Sequence, residues 1–244
     1  MNLSLSFLLL ALLAEIVGTV GGFGSSVFFV PIGNFYFDFH SVLGLTALFH
    51  LSSNLSKIVL FRKGLDKQLI LYIGVPSVIF VTIGGLLSNE INIRLLELIL
   101  AVFLIGLSLF FLIWNKTHFK ANHRNSIIGG GLSGFSAGLL GTGGAIRGLT
   151  MAAFNLEKSV FIATSACIDL MIDATRTVVY YQNGYMDRKL FIYIPFLLVI
   201  GFTGSYLGKK ILHYIPQEKF KRISLALILI IGIVTLIKYF VVIQ

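Results

Sequence analysis

Gly18-Thr19-Val20-Gly21-Gly22-Phe23-Gly24-Ser25-Ser26 and Gly138-Leu139-Leu140-Gly141-Thr142-Gly143-Gly144 stand 120 residues apart in a chain of 244. Gly18, Gly21 and Gly24 return at that offset as Gly138, Gly141 and Gly144. On the same offset, Gly64 and Gly84 return as Gly184 and Gly204. Five matches on one offset, in a chain barely longer than two periods, read as a duplication. Small gaps bring further matches: Ser41-Val42 and Thr46 with Ser159-Val160 and Thr164, and Pro76 with Pro195. Both copies are intensely hydrophobic. A duplicated apolar chain with a glycine-rich break in each copy has the sequence pattern of a transporter.

Composition agrees. Hydrophobic residues make up 57% of the chain and charged residues 12%, against about 25% charged in a soluble domain. Runs of about 20 apolar residues, enough to cross a hydrocarbon core, recur along the sequence. The net charge of +9 comes from basic residues lying between those runs. It reads as a topology signal, and no nucleic acid partner is expected. Met1 to Leu10 carries no Lys or Arg and Glu15 interrupts the first apolar run, so this stretch does not read as a signal peptide. Cys167 is the single cysteine and the five histidines show no ligand spacing. Neither a disulfide, a metal site nor a cofactor is expected.

The fold class predicted is an all-α polytopic membrane protein built from two inverted repeats. The first repeat covers 1–115, with a glycine-broken hairpin over 3–37 and spans over 41–62, 68–88 and 93–114. A cytoplasmic linker follows over 116–125. The second repeat covers 126–244, with a hairpin over 126–154 and spans over 158–181, 190–212 and 219–242. Bare backbone at membrane depth survives only against protein or a water-filled cavity, so the hairpin tips are expected beside a pathway. Each repeat has one hairpin and three spans. Three is odd, so the second repeat enters from the opposite face and the two tips approach each other near the midplane. Twelve of the nineteen Lys and Arg fall in the loops around 62–67, 115–125, 155–158 and 209–222. Arg94, Arg188, Lys189 and Lys238 fall on the other side. The basic side is therefore expected to be cytoplasmic, with both termini outside a multi-pass cell membrane protein.

Chemistry concentrates at the tips and in the charged spans. Gly21, Gly22, Gly24, Ser25 and Ser26 in one copy, and Gly141, Thr142, Gly143 and Gly144 in the other, offer backbone N–H groups, hydroxyls and a helix N-terminus to an anion. Asp169, Asp173 and Arg176 lie in one apparent span. Three charges facing lipid would cost about 8–10 kcal/mol at about 2.5–3.5 kcal/mol each. With Ser165 and Tyr180 they follow helical spacing and must face inward. Thr164 and Ser165 of that span, and Thr46, His50, Ser53, Asn54 and Lys57 of its counterpart, are polar stripes expected across a cavity. Lys57 reads equally as a ligand or as a side chain snorkelling to the interface. Arg147, one turn past the second tip, needs an acidic partner or an anionic ligand. Glu15 is either paired or protonated, and with His50, Asp169 and Asp173 it forms the set of candidate proton carriers. No hydrolytic or nucleotide-binding motif is present, and an enzyme is not expected.

These residues resemble a known family. Gly18 through Pro31 followed by Leu45-Thr46, and Gly138 through Gly144 followed by Ala163-Thr164-Ser165 and then Tyr181, Gly184 and Asp187, are similar to the two signatures of the sulfite exporter TauE/SafE family. The resemblance covers almost the whole chain. It implies a multi-spanning permease for small anions such as sulfite, sulfonates and sulfoacetate. Arg147, Met151, Asp169 and Asp173 depart from the family pattern. The expectation is a secondary transporter of a small anion, possessing a proton-coupled alternating-access cycle. Its partners are that anion and the lipid bilayer, with a homo-oligomer left open. Two alternatives stand beside it: a cation transporter or channel using Asp169 and Asp173, and a membrane scaffold or sensor that moves nothing.

Overall fold

The computed structural model describes residues 4–21, 24–61, 64–113, 120–212, 214 and 217–241. Among these residues, ten helical stretches follow one another: α1 (Leu5–Gly21), α2 (Ser26–Gly33), α3 (Phe39–Leu60), α4 (Lys67–Glu90), α5 (Ile93–Ile113), α6 (His123–Leu140), α7 (Gly144–Ala152), α8 (Lys158–Gln182), α9 (Arg188–Ile211) and α10 (Gln217–Val241). Among the described residues there is no strand. α3, α4, α5 and α9 are long and apolar enough to cross a membrane. α8 is longer still at 25 residues, but Asp169, Asp173 and Arg176 interrupt its apolar face. α2 and α7 hold 8 and 9 residues, about 12–14 Å at 1.5 Å per residue. Neither reaches across a core of about 30 Å.

The sequence explains where these helices bend and stop. The matched prolines Pro76 and Pro195 each sit just after an irregular turn, a π turn over Ile70–Gly74 in α4 and a 3₁₀ turn over Arg188–Tyr193 in α9. Such turns absorb the missing N–H without ending the helix. α6 ends because Gly141 adopts φ +74°, with its N–H bonded to the Ala137 carbonyl. That left-handed cap is open to glycine at little cost.

Packing crosses between the halves. α1 packs on α9, α6 on α4, α3 on α8, and α5 on α10. α3 also packs on α9, and α8 on α4. Glycine permits the closest of these approaches. Gly130, Gly134 and Gly138 form a stripe on α6 facing the Ile73, Ser77 and Val81 carbonyls of α4. A Cβ at any of the three would lie inside the contact distance of that backbone. Ser77 Oγ donates to the Gly130 carbonyl at 2.8 Å across the seam. Lipid tails are as apolar as side chains, so close backbone packing of this kind is what joins helices in a bilayer. Gly134→Leu is expected to destabilise the protein by about 3 kcal/mol or more through overpacking. Gly106→Ala, where no neighbouring atom lies within 4 Å, should change stability by less than about 0.5 kcal/mol. Denaturation in detergent compares the two, and equal stability of the variants would refute the seam.

The outer faces are apolar. Leu95, Val102, Leu109 and Ile113 stand exposed along α5, the surface a lipid-facing helix presents. The polar residues are turned inward, where Glu15, Lys57, Arg147, Asp173 and Arg176 are buried.

Candidate functional site

The hairpin tips meet in the interior. Ser26 Oγ, in the first turn of α2, donates to Thr142 Oγ1 at 3.3 Å. A Cβ at Gly24 would sit 3.8 Å from the Gly144 Cα. Around this junction α1, α3, α7 and α8 deliver three acids and three bases, and α9 adds the Ser205 hydroxyl. Each acid is paired with one base.

Glu15 and Lys57 form the first pair, at 2.8 Å. Glu15 is fully buried. It also accepts from Thr19 Oγ1 at 3.1 Å, Ser25 Oγ at 2.5 Å, Ser53 Oγ at 2.6 Å and Ser205 Oγ at 2.9 Å. Lys57 is 7% exposed and also donates to Ser53 Oγ at 2.9 Å. It therefore turns inward and does not snorkel, because a carboxylate one helix away outcompetes the interface. Of the two alternatives, Glu15 takes the paired one.

Asp173 and Arg176 form the second pair, with Nε to Oδ1 at 2.7 Å. Asn54 Nδ2 donates to Asp173 Oδ2 at 2.6 Å. Arg176 reaches on to the second tip, where a guanidinium N–H donates to the Gly141 carbonyl at 2.9 Å. A cationic side chain thus caps the carbonyl end of α6. His50 links the two pairs: its Nε2 lies 3.1 Å from Ser25 Oγ and its Nδ1 lies 4.0 Å from Asp173 Oδ2.

Arg147 and Asp169 form the third pair. Both terminal guanidinium nitrogens donate to the two carboxylate oxygens in a fork, the geometry that makes Arg–carboxylate pairs strong. Arg147 Nε donates to Ser165 Oγ at 3.0 Å. Arg147 is 1% exposed. The Asp169 side chain is 22% exposed, because it forms part of a cavity wall.

That cavity holds about 30 Å³ and is lined by Gly18, Thr19, Gly24, Asn54, Lys57, Arg147, Ser165 and Asp169, with Phe161, Ile162 and Ala166. It adjoins a vestibule of about 230 Å³, with which it shares Thr19, Phe161 and Ile162. The vestibule runs past Gly21 to Asn155 and Leu156 ahead of α8, to Lys158 at its start, and to Leu212 beyond α9. At the other end of the helices the interior is packed. Phe7 meets Phe37 at 4.9 Å and Tyr193 at 5.4 Å between ring centroids. There His40 stacks on Tyr185 at 4.1 Å, and Tyr185 Oη lies 3.0 Å from Ser88 Oγ.

The residues expected at the site therefore divide. Gly24, Asn54, Arg147, Ser165 and Asp169 line the inner cavity and Gly21 the vestibule. Ser25, His50, Asp173 and Arg176 form the hydrogen-bonded network behind it. Ser26 and Thr142 bond each other. Gly143 contributes its carbonyl to Ser133 Oγ at 2.8 Å, and Gly144 opens α7. Gly141 is engaged by Arg176. Two residues point elsewhere. Thr46 Oγ1 returns to its own helix at the Val42 carbonyl, 2.6 Å away. Thr164 Oγ1 accepts from the Asp66 N–H at 2.9 Å and so ties down the loop before α4. In each case a backbone partner close by satisfies the hydroxyl. Gly22 lies outside the described residues.

Thr19, Gly18 and Ser205 were not expected at the site, whereas Ser53 stands on the polar stripe expected across the cavity and bonds Glu15 and Lys57. Thr19 is one turn from Glu15, a spacing that could have found it. Ser205 lies 190 positions from Glu15, and only its place beside the repeated Gly204 marks it.

A probable membrane transporter protein of Methanocaldococcus jannaschii is 28% identical over 251 residues, covering 91% of each chain. No solved structure matches. The family model described as sulfite exporter TauE/SafE matches residues 7–235, and the chain belongs to that family of membrane transporters.

Proposed function

We propose that the chain is a secondary transporter of a small anion, a sulfur oxyanion or organosulfonate such as sulfite, moved by proton-coupled alternating access across the cell membrane. One observation carries this reading. Two buried cations, Arg147 and Lys57, line a single cavity at the foot of a vestibule. Cations held in a low-dielectric interior are where an anion binds most strongly. The N-terminus of α7, beginning at Gly144, adds a positive dipole end.

The orientation comes from the basic loops. Lys158 lines the vestibule. Lys209, near the end of α9, donates to the Leu60 carbonyl at the end of α3. This is the basic side, cytoplasmic by the positive-inside rule, with both termini outside. The conformation is then open to the cytoplasm and packed at the outer end. The cross-packing of matched helices supports an inverted repeat, in which rocking one half against the other opens the opposite face. The excess of acids that favoured a cation site is absent, because Asp169 and Asp173 each have their own arginine.

Purified protein in liposomes under a pH gradient, offered radiolabelled sulfite and methanesulfonate, tests the reading. Saturable uptake of at least one anion, above protein-free liposomes, is expected. Failure of both, with folded protein in the membrane, would sink it.

A further inference from the structure

Resting on that anion reading, we infer that Asp169 is a built-in competitor of the substrate. The anion displaces its carboxylate from Arg147, and a proton taken up by Asp169 accompanies each monovalent anion through the cycle.

The inference starts from charge. Glu15, Asp169 and Asp173 balance Lys57, Arg147 and Arg176, so the six-charge cluster is neutral with a neutral His50. Bringing an anion alone into this interior leaves one uncompensated buried charge, which a low-dielectric site tolerates badly. Neutrality is kept if one carboxylate becomes a carboxylic acid as the anion arrives.

Position selects which carboxylate. Glu15 is fully enclosed and accepts from four hydroxyls besides Lys57. Asp173 is 2% exposed and held by Arg176 and Asn54. Neither lines the cavity, and Asp169 does. From α7 it is faced by Arg147, from α3 by Lys57 and Asn54 across the same cavity, and on its own helix by Asp173 and Arg176. α1 presents Gly18 and Thr19 there, neither charged near neutral pH, with Glu15 held away by Lys57.

Size points the same way. About 30 Å³ is room for one water, and an oxyanion is larger. The fork on Arg147 is already filled by two carboxylate oxygens. Substrate oxygens can take that fork only when Asp169 leaves it. A proton from vestibule water bonds to a carboxylate oxygen, the acid swings off the guanidinium, and the anion's oxygens replace it. On the far side the anion and proton leave, and Asp169 returns to Arg147.

The test uses full-length protein in liposomes with radiolabelled methanesulfonate, whose charge is constant between pH 5 and 8. Wild-type uptake should rise about tenfold per unit of inward-directed pH gradient and be unaffected by a valinomycin-imposed potassium potential. Asp169→Asn leaves the site with one excess positive charge. Its uptake should lose the pH dependence and become driven by an inside-positive potential. Asp169→Glu should keep the wild-type pattern, which guards against a folding defect. If Asp169→Asn retains the wild-type pH dependence and stays insensitive to potential, Asp169 is not the carrier. An inactive Asp169→Asn variant whose unfolding profile matches wild type overturns the inference equally. No methanesulfonate or sulfite uptake by wild type instead overturns the anion reading beneath it.

Discussion

Arg147→Ala is expected to reduce anion uptake at least 100-fold while the helices still assemble. Among the described residues, Arg147 is the one buried cation that meets both the cavity and a carboxylate through a two-pronged fork. Removing one member of a buried pair costs about 3–5 kcal/mol. Here the Asp169 side chain is 22% exposed on the wall of the inner cavity, so the stability loss should fall at the low end. Transport suffers more, because Lys57 is committed to Glu15 and cannot replace the fork. Arg147→Lys keeps the charge but loses bidentate geometry. It should retain uptake with affinity about tenfold weaker. The double variant Arg147→Met, Asp169→Leu separates binding from folding: an apolar pair of similar volume restores stability, yet uptake should stay absent. Initial rates of sulfite and methanesulfonate uptake, read beside denaturation midpoints, check the set. Uptake by Arg147→Ala within twofold of wild type would remove Arg147 from the binding site.

Hydropathy and the glycine offset made the all-helical membrane fold legible, because both are properties of local sequence. The spacing of Ser165, Asp169, Asp173 and Arg176 was enough to turn one face of α8 inward, since lipid excludes charge wherever the partners lie. The partners themselves were not legible. Pairing Glu15 with Lys57 depends on how α1 and α3 are registered against each other, which no single-helix pattern states. Thr46 and Thr164 show the converse limit. Both sit on polar stripes, yet a carbonyl or N–H within reach absorbs each hydroxyl before any ligand could. Period places a side chain on a face, and the nearest unsatisfied backbone group decides where it bonds. The same logic separates the two arginines. Arg176 lies within reach of the Gly141 carbonyl at the end of α6 and is spent on it. Arg147 begins beyond that tip, and its fork is left for Asp169.

Glu15→Ala is expected to be among the most destabilising single substitutions in the chain, at about 3–5 kcal/mol. The carboxylate joins four parts of the fold. Thr19 belongs to α1, Ser25 to the first tip, Ser53 and Lys57 to α3, and Ser205 to α9. Truncation strands a buried ammonium that is 7% exposed and leaves several hydroxyls without their acceptor. Each unsatisfied group carries its own desolvation cost. Glu15→Gln keeps one acceptor oxygen for the hydroxyls but leaves Lys57 without a counter-charge, so its loss should be smaller, about 2–3 kcal/mol. Adding Lys57→Met to Glu15→Gln should recover part of that loss, since the remaining defect is then polar and not ionic. Denaturation of the purified protein in detergent measures all three. A Glu15→Ala variant within about 0.5 kcal/mol of wild type would show that the cluster holds nothing together. The effect has a counterpart across the helix pair. A Cβ at Gly204 would lie 2.7 Å from Glu15 Cγ, so Gly204→Ala should push the carboxylate off its donors and lose stability through the same contacts. Gly204 is the return of Gly84 of the first half, which faces the Phe135 carbonyl of α6 in the second. One repeated glycine thus seats a helix in one copy, and in the other makes room for the charge that ties the hairpin to the bundle.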